Sequence, residues 1–225
     1  MSWTAYDDPV VARKMTSLAL QELGRWLVEP EFHEPWNVFC EFMDYLVPQT
    51  VPRPSIDGYY NKWSVSLLDV GCAAGYYKPM LRVRYPLLVL SYEGIERSNA
   101  LHDLAFSLFE IDSYSTLTDM ENNPDYGNGQ QSFDVVLSGS MLQHEEHWEK
   151  ALAEQISVCS RWLIIHKIPI ADTLIQRQKE AYGVTMNEWN FPVSLIHEKV
   201  GRKPVKEHYF ASAEPHWSGL YDLEA

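Results

Sequence analysis

The sequence predicts an α/β fold: a doubly wound, mostly parallel sheet with an antiparallel C-terminal hairpin, preceded by an N-terminal helical lid. Short apolar runs alternate with amphipathic stretches, which is typical of parallel strands joined by crossover helices. A glycine-rich turn follows the first of these runs, and two β-type segments stand near the end. With 225 residues, the chain is long enough for one such domain. We assign residues 1–60 to the helical extension and residues 61–225 to the main domain.

Composition and charge argue against several classes of protein. The 18 Lys+Arg and 31 Asp+Glu residues give a net charge of −13, so we expect no nucleic-acid partner, because such binding depends on cations that neutralise phosphates. No apolar run is long enough to cross a bilayer, and the first residues lack a secretory pattern, which predicts no membrane partner and a cytoplasmic location. Cys40, Cys72 and Cys159 are widely separated, which predicts free thiols.

The front of the chain carries two predicted helices. Apolar residues recur at helical spacing over residues 9–28, and a second helix is predicted over Trp36–Leu46, where Pro48 ends it. Residues 48–60 are rich in proline and form a connector. Ordinary core packing is one interpretation of the aromatic residues here, and a lid over a ligand is the other. These residues are Tyr6, Trp26, Trp36, Tyr59, Tyr60 and Trp63.

The main domain shows four apolar runs that predict the parallel strands. They cover residues 64–70, 87–92, 133–137 and 162–166. An amphipathic stretch that predicts a helix follows each of the first three runs. The first stretch ends at Arg84, the second runs from its N-cap Ser98 to Phe109, and the third covers His147–Val158. Residues 170–195 form an insertion whose aromatic residues could close the other side of a pocket, namely Tyr182, Trp189 and Phe191. The closing hairpin is predicted from residues 207–211 and 218–223.

The first strand-to-helix turn and the end of the next strand carry the main functional signal. The turn is Asp69-Val70-Gly71-Cys72-Ala73-Ala74-Gly75, in which glycine allows backbone N–H groups to approach a ligand at the start of a helix. Glu96 lies 21 residues beyond Gly75, and a carboxylate there can accept hydrogen bonds from both hydroxyls of a ribose. Together these features predict a site for an adenosine-containing ligand.

These segments resemble the class I S-adenosylmethionine-dependent methyltransferase family. LLDVGCAAG (67–75) resembles its first motif, YEGIERS (92–98) its second, and FDVVLSGSMLQHEEHWEKAL (133–152) its fourth-strand segment with the following helix. The resemblance covers roughly residues 60–170. It implies a Rossmann-like fold, S-adenosyl-L-methionine as the cofactor and transfer of its methyl group to an acceptor.

The resemblance also implies roles for individual residues. The first-motif residues would line the methionine part of the cofactor, Glu96 would hold the ribose, and Ile95 and Arg97 would flank the adenosine. Either Asp112 or Asp119 would meet the adenine amino group. Ala73 departs from the family pattern, since it stands where the middle glycine is usual. The implied cofactor-binding residues are Asp69, Gly71, Cys72, Ala73, Gly75, Ile95, Glu96, Arg97, Asp112 and Ser138.

His144 is the candidate catalytic residue. It lies seven residues beyond Leu137, in a segment that the resemblance places beside the site of methyl transfer. An ordinary histidine pKa of about 6.5 suits a general base near neutral pH, and packing beneath a lid is the alternative. No metal is predicted, because His144 and His147 lack the i, i+4 spacing of a helical zinc pair. His166 and Lys167 also stand at the strand edge where such folds bind ligands.

The predicted function is in-line transfer of a methyl group to an oxygen or nitrogen of a small organic acceptor. The protein is predicted to be a monomer or a homodimer. Ser138-Gly139-Ser140 stands where many base- and amide-modifying members carry Asn-Pro-Pro-Tyr, which disfavours those acceptors. A dehydrogenase is disfavoured because the turn does not match G-x-G-x-x-G. The alternative function is a non-catalytic or degenerate protein of this fold that serves as an interaction module.

Overall fold

The computed structural model describes residues 6–49, 53–54, 61–62, 64–111, 113–116 and 132–224. Its strands are β1 Ser64–Val70, β2 Val89–Ile95, β3 Ser113–Tyr114, β4 Phe133–Gly139, β5 Cys159–Pro169, β6 Ile175–Ala181, β7 Val184–Asn190, β8 Lys206–Phe210 and β9 His216–Asp222, besides a two-residue ladder between Arg53–Pro54 and Asn61–Lys62. Several residues named above lie outside the described ranges, namely Tyr59, Tyr60, Trp63, Asp112 and Asp119.

Six α-helices accompany the strands within the described residues. They are α1 Pro9–Val28, α2 Glu34–Leu46, α3 Tyr77–Arg84, α4 Asn99–Phe109, α5 Trp148–Ser157 and α6 Val193–Val200, with 3₁₀ turns at Pro30–Phe32, Val47–Gln49 and Leu142–His144. The carboxylate of Asp8 accepts a hydrogen bond from the Val10 N–H and begins α1. Ser98 caps α4 in the same way, as the sequence predicts.

The central sheet has seven strands in the order β8-β9-β5-β4-β1-β2-β3. Neighbouring strands from β3 to β5 run parallel, whereas β9 lies antiparallel between β5 and β8. The predicted doubly wound, mostly parallel sheet with an antiparallel closing hairpin is therefore confirmed. The strand order reverses between β1 and β4, and ligands of open α/β sheets bind at such a switch point, outside the carboxyl ends of the strands.

The core occupies both faces of this sheet. Alternate residues of β1 point in opposite directions, so Leu67 joins one buried cluster and Leu68 the other. The first cluster also contains Phe39 and Met43 of α2, so the N-terminal helices pack on the sheet itself. The division at residues 60 and 61 into a lid and a main domain stays a prediction.

Several predicted bounds differ from those observed, and the fourth predicted strand, for example, covers Cys159–Pro169 rather than residues 162–166. The second strand begins at Val89 rather than Leu87, because it pairs in register with β1 from Ser64–Val89 to Val70–Ile95, and Leu87 is 86% exposed. The insertion 170–195 contains a hairpin, since β6 and β7 pair with each other. Its first strand reads IQRQKEA and is largely exposed, so no apolar alternation marked it in the sequence. Within the described ranges, none of the helices has the length and apolar character needed to cross a membrane.

Candidate functional site

A cavity of about 470 Å³ opens at the carboxyl ends of the strands, a size suited to a small molecule. Three parts of the chain build its walls: the turns that follow the parallel strands, helix α1 with nearby aromatic residues, and the β6–β7 hairpin. Tyr6, Trp36 and Tyr182, three of the predicted lid aromatics, line it. Trp26 instead packs on Trp36, with ring centroids 6.0 Å apart.

The glycine-rich turn forms the floor of the cavity, and its glycines cannot be replaced by larger residues without strain. Gly71 and Gly75 have φ angles of +75° and +79°, which favour glycine. A Cβ atom on Gly71 would lie 2.5 Å from Met141 Cγ, and one on Gly75 would lie 1.9 Å from Ile111 Cδ1. Ala73, which replaces the family's middle glycine, also lies in the left-handed region, at φ +50°.

Glu96 connects the end of β2 to this turn. Its side chain lines the cavity, and the residue is only 3% exposed. The Ala73 N–H donates to Oε2 at 2.9 Å, and the Ser98 N–H donates to Oε1 at 2.8 Å. Burial raises the pKa of Glu96 despite these bonds. A carboxylate that lines the cavity can accept hydrogen bonds from the hydroxyl groups of a ligand, which is the chemistry that a ribose requires.

Asp69 lies beneath the turn, fully buried and outside the residues that line the cavity. The Tyr92 hydroxyl donates to its Oδ2 atom, while no described residue bonds its Oδ1 atom. Burial, with a smaller contribution from the nearby Glu96 charge, raises the pKa of Asp69 to about 7. Asp69 therefore titrates near neutral pH in the folded protein.

This shift predicts a change of stability with pH. Since the pKa of Asp69 rises from 3.8 to about 7 on folding, the stability that its proton confers is complete below pH 3.8 and is lost as the pH rises through 7. Asp69→Asn carries no charge at any pH. We expect the free energy of unfolding of the wild type, relative to this variant, to fall by about 2–3 kcal/mol between about pH 5 and pH 8.

Urea unfolding of both proteins across that pH range measures the difference. The exposed Asp103→Asn provides a matched control, because its pH dependence should follow that of the wild type. Parallel pH profiles for the wild type and Asp69→Asn would contradict the prediction.

His144 ends the 3₁₀ turn Leu142–His144 between β4 and α5 and lines the cavity. Its ring stands edge-on to the Tyr6 ring, 6.2 Å away. Burial lowers the pKa of His144 and outweighs the opposing effects of the Glu188 charge and of a hydrogen bond with the Asn187 backbone. The neutral imidazole, which can accept a proton, therefore predominates at neutral pH.

The β6–β7 hairpin places a group of charged side chains at the cavity. The sequence analysis did not predict these side chains. Lys179 and Glu188 both line the cavity, and their Nζ and Oε1 atoms lie 3.3 Å apart. Glu214, in the turn before β9, lies 3.0 Å from the same Nζ atom. Burial favours a lower pKa for Lys179, but the two carboxylates together raise it. These contacts depend on strand pairing, for which the local sequence carried no signal.

The remaining predicted cofactor residues occupy different positions. Cys72 lines the main cavity, whereas Ile95 and Arg97 line a second cavity of about 50 Å³ on the other side of the turn. Arg97 Nη1 forms an ion pair with Glu145 Oε1 at 3.0 Å in this second cavity. Ser138 is buried in β4 and lines neither cavity. The roles that the resemblance implies for these residues stay predictions.

Backbone strain is concentrated at the main cavity. Five non-glycine residues of the described ranges have left-handed φ angles, and one of them, Glu110, ends α4. The other four all line the cavity. They are Ala73, Ser140, Lys167 and Tyr182. Such conformations cost free energy and cluster at functional sites, so their convergence supports a functional role for this cavity.

No group of three potential metal ligands occurs among the residues that the structure describes. His147, whose spacing from His144 does not match a helical zinc pair, is exposed and does not line the main cavity.

Comparison with known proteins shows which domains and folds the chain resembles. Residues 68–162 match the family model described as a methyltransferase domain. The fold is similar to that of magnesium protoporphyrin IX methyltransferase from Synechocystis PCC 6803 with bound SAM, with a TM-score of 0.52, 13% identity, and coverage of 80% of this chain and 79% of that chain. It is also similar to the N-terminal domain of EvdMO1 with SAH bound, with a TM-score of 0.51, 15% identity, and coverage of 70% and 74%. No curated protein matches the chain in sequence.

The matched segment contains the glycine-rich turn, Glu96 and His144. Over residues 68–162 the chain is therefore similar to methyltransferase domains, and its fold is similar to that of two proteins crystallised with SAM or SAH. The resemblance drawn from the motifs of the sequence is confirmed.

Proposed function

We propose that this protein binds S-adenosylmethionine and transfers its methyl group to an oxygen or nitrogen of a small organic acceptor. The observation that carries the proposal is the contact between the turn and Glu96, where the Ala73 N–H donates to the carboxylate at the floor of the cavity. This contact holds the carboxylate beside a backbone turn that is open to a ligand. Two structures of similar fold hold bound SAM and SAH, which supports the same cofactor here.

The cofactor would lie across the switch point, with its ribose on Glu96 and its remaining length over the turn at residues 71–75. When bound, it supplies a sulfonium methyl group that is already activated for transfer. The chain has to place the acceptor in line with that methyl group and exclude water. Tyr6, Trp36 and Tyr182 supply apolar surface around the cavity for this purpose.

His144 is the proposed general base for an acceptor O–H or N–H group. It lines the cavity beside Ser140 and Met141, at the end of β4. Its lowered pKa keeps the imidazole neutral at neutral pH, so it can take the proton that the acceptor loses. An acceptor that is already deprotonated would need only the positioning effect.

Ligand titration tests the proposed function directly. We expect calorimetry to show binding of S-adenosylmethionine and S-adenosylhomocysteine, with dissociation constants on the order of micromolar, and no binding of NAD. NAD binding without either adenosyl ligand would favour a dehydrogenase, and an absence of binding by all three would favour the interaction module. The charge of −13 supports a small acceptor rather than a nucleic acid.

A further inference from the structure

The cavity extends well beyond the cofactor residues along the edge of the sheet. Glu96 follows β2 and Ala73 follows β1, whereas Ser140 follows β4, Lys167 lies in β5 and His216 begins β9. The sheet order places β4, β5 and β9 successively farther from β2. With neighbouring strands about 4.8 Å apart, the half of the cavity over β5 and β9 lies roughly 14 Å or more from the Glu96 strand. We call this the acceptor half.

A β-bulge shapes the acceptor half. The pairing of β5 with β9 shifts register so that two residues, His166 and Lys167, oppose the single residue Ser218. Lys167 adopts a left-handed φ of +54° at this point. Bulges occur next to active sites, where they redirect a side chain.

Hydrogen bonds hold the bulge in place. The Lys167 N–H donates to the buried Ser218 hydroxyl at 2.9 Å, and that hydroxyl bonds His166 Nδ1 at 3.0 Å. From β4, Ser140 donates its own N–H to the His166 carbonyl at 2.9 Å and its hydroxyl to the Lys167 carbonyl at 3.2 Å. Ser140, which follows β4, and Lys167 in β5 both have left-handed φ angles, and these hydrogen bonds hold the two residues together.

The bulge directs the side chains of His166 and Lys167 into different environments. His166 is buried within about 6 Å of the Phe39, Tyr77 and Phe210 rings, and burial lowers its pKa to about 3, so it packs the core as a neutral ring. Lys167 is exposed and lines the cavity. The strained backbone of the bulge therefore places a lysine side chain, rather than a histidine, in the cavity.

The charges around Lys167 show which ligand it suits. Lys179, the other lysine of the cavity, is held by Glu188 and Glu214. Among the described residues, no carboxylate lies within ion-pair distance of Lys167. Of the carboxylates that line the cavity, Glu188 is engaged by Lys179, Glu96 by the backbone of the turn, and Glu22 lies on α1.

We propose that Lys167 binds an oxyanion of the methyl acceptor, so that the acceptor is a small molecule bearing a carboxylate or a phosphate group. This proposal rests on the proposed function, since it assigns the acceptor half of the same cavity. A lysine ammonium recognises both groups as a point charge. The contact would anchor the acceptor at its anionic end and leave the atom to be methylated near β4.

The test titrates anions into ¹⁵N-labelled protein that is saturated with S-adenosylhomocysteine, at constant ionic strength. Inorganic phosphate and acetate are the probes, and the amide resonances of Ser140, Lys167 and Ser218 are followed. We expect saturable shifts with at least one anion, and the one that binds more tightly identifies the acceptor group. Lys167→Met should weaken this binding roughly tenfold, whereas Lys167→Arg should retain it.

Lys150→Met provides a matched control, because Lys150 lies on α5 outside the cavity and should leave the titration unchanged. The proposal is overturned if neither anion gives a saturable shift, if Lys167→Met titrates as the wild type does, or if methylammonium alone binds. S-adenosylhomocysteine binding, measured first by calorimetry, reports separately on the proposed function. If it fails, the anion titration of the protein alone still tests the oxyanion site.

Discussion

Replacement of His144 with alanine is expected to lower turnover by roughly 10²–10⁴-fold while cofactor affinity stays nearly unchanged. The reason is its position: the imidazole lines the cavity after the end of β4, and its lowered pKa leaves it able to accept a proton. Turnover and S-adenosylhomocysteine affinity, measured on the same protein sample, separate a loss of chemistry from a loss of binding.

The pH profile sharpens this test. Since burial lowers the pKa of His144, the wild-type rate should already be on its plateau at neutral pH and should fall only below about pH 6.5. His144→Gln keeps polarity and similar size but cannot act as a base, and the exposed His147→Ala is the matched control. Near-full activity of His144→Gln from about pH 6 to 9 would refute general-base catalysis and leave positioning as the main effect.

Replacement of Glu96 with alanine is expected to weaken cofactor binding by about 2–3 kcal/mol, roughly 30- to 150-fold. The variant removes the acceptor proposed for both ribose hydroxyls. It also removes the partner of the Ala73 and Ser98 N–H groups, so the turn loses part of its support. Calorimetric titration with S-adenosylhomocysteine gives the dissociation constant.

Two comparisons make the Glu96 result specific. Glu146→Ala removes an exposed carboxylate outside both cavities and should bind the cofactor as the wild type does. Glu96→Gln keeps one carbonyl acceptor and should lie between the wild type and Glu96→Ala. An unchanged dissociation constant in a folded Glu96→Ala protein would mean that another acidic residue holds the ribose.

Much of the fold could be predicted because its signals are local. The first strand, SVSLLDV at residues 64–70, carries Val65, Leu67, Leu68 and Val70, which is typical of a strand buried on both faces. Ser98 marks the start of α4 through a bond that reaches only three residues along the chain. The glycine-rich turn and Glu96 were recognisable because both lie at the ends of neighbouring strands at a regular separation.

The walls of the cavity depend on contacts between distant parts of the chain, and the sequence carried no signal for these contacts. Strand pairing brings Lys179 and Glu188 together, and the Tyr6 hydroxyl reaches Met186, which is 180 residues away. The bulge that presents Lys167 exists because Ser218 bonds both residues of the shifted pair.

Sequence alone thus determined the sheet, the turn that meets Glu96 and the family resemblance, because periodicity, caps and motif spacing are properties of short segments. The tertiary structure decided which charges face the cavity, how far burial moves the pKa values of Asp69 and His144, and where the backbone is strained. The physical reason is that burial and charge proximity are set by packing, and packing joins side chains whose separation along the chain is unrelated to their separation in space.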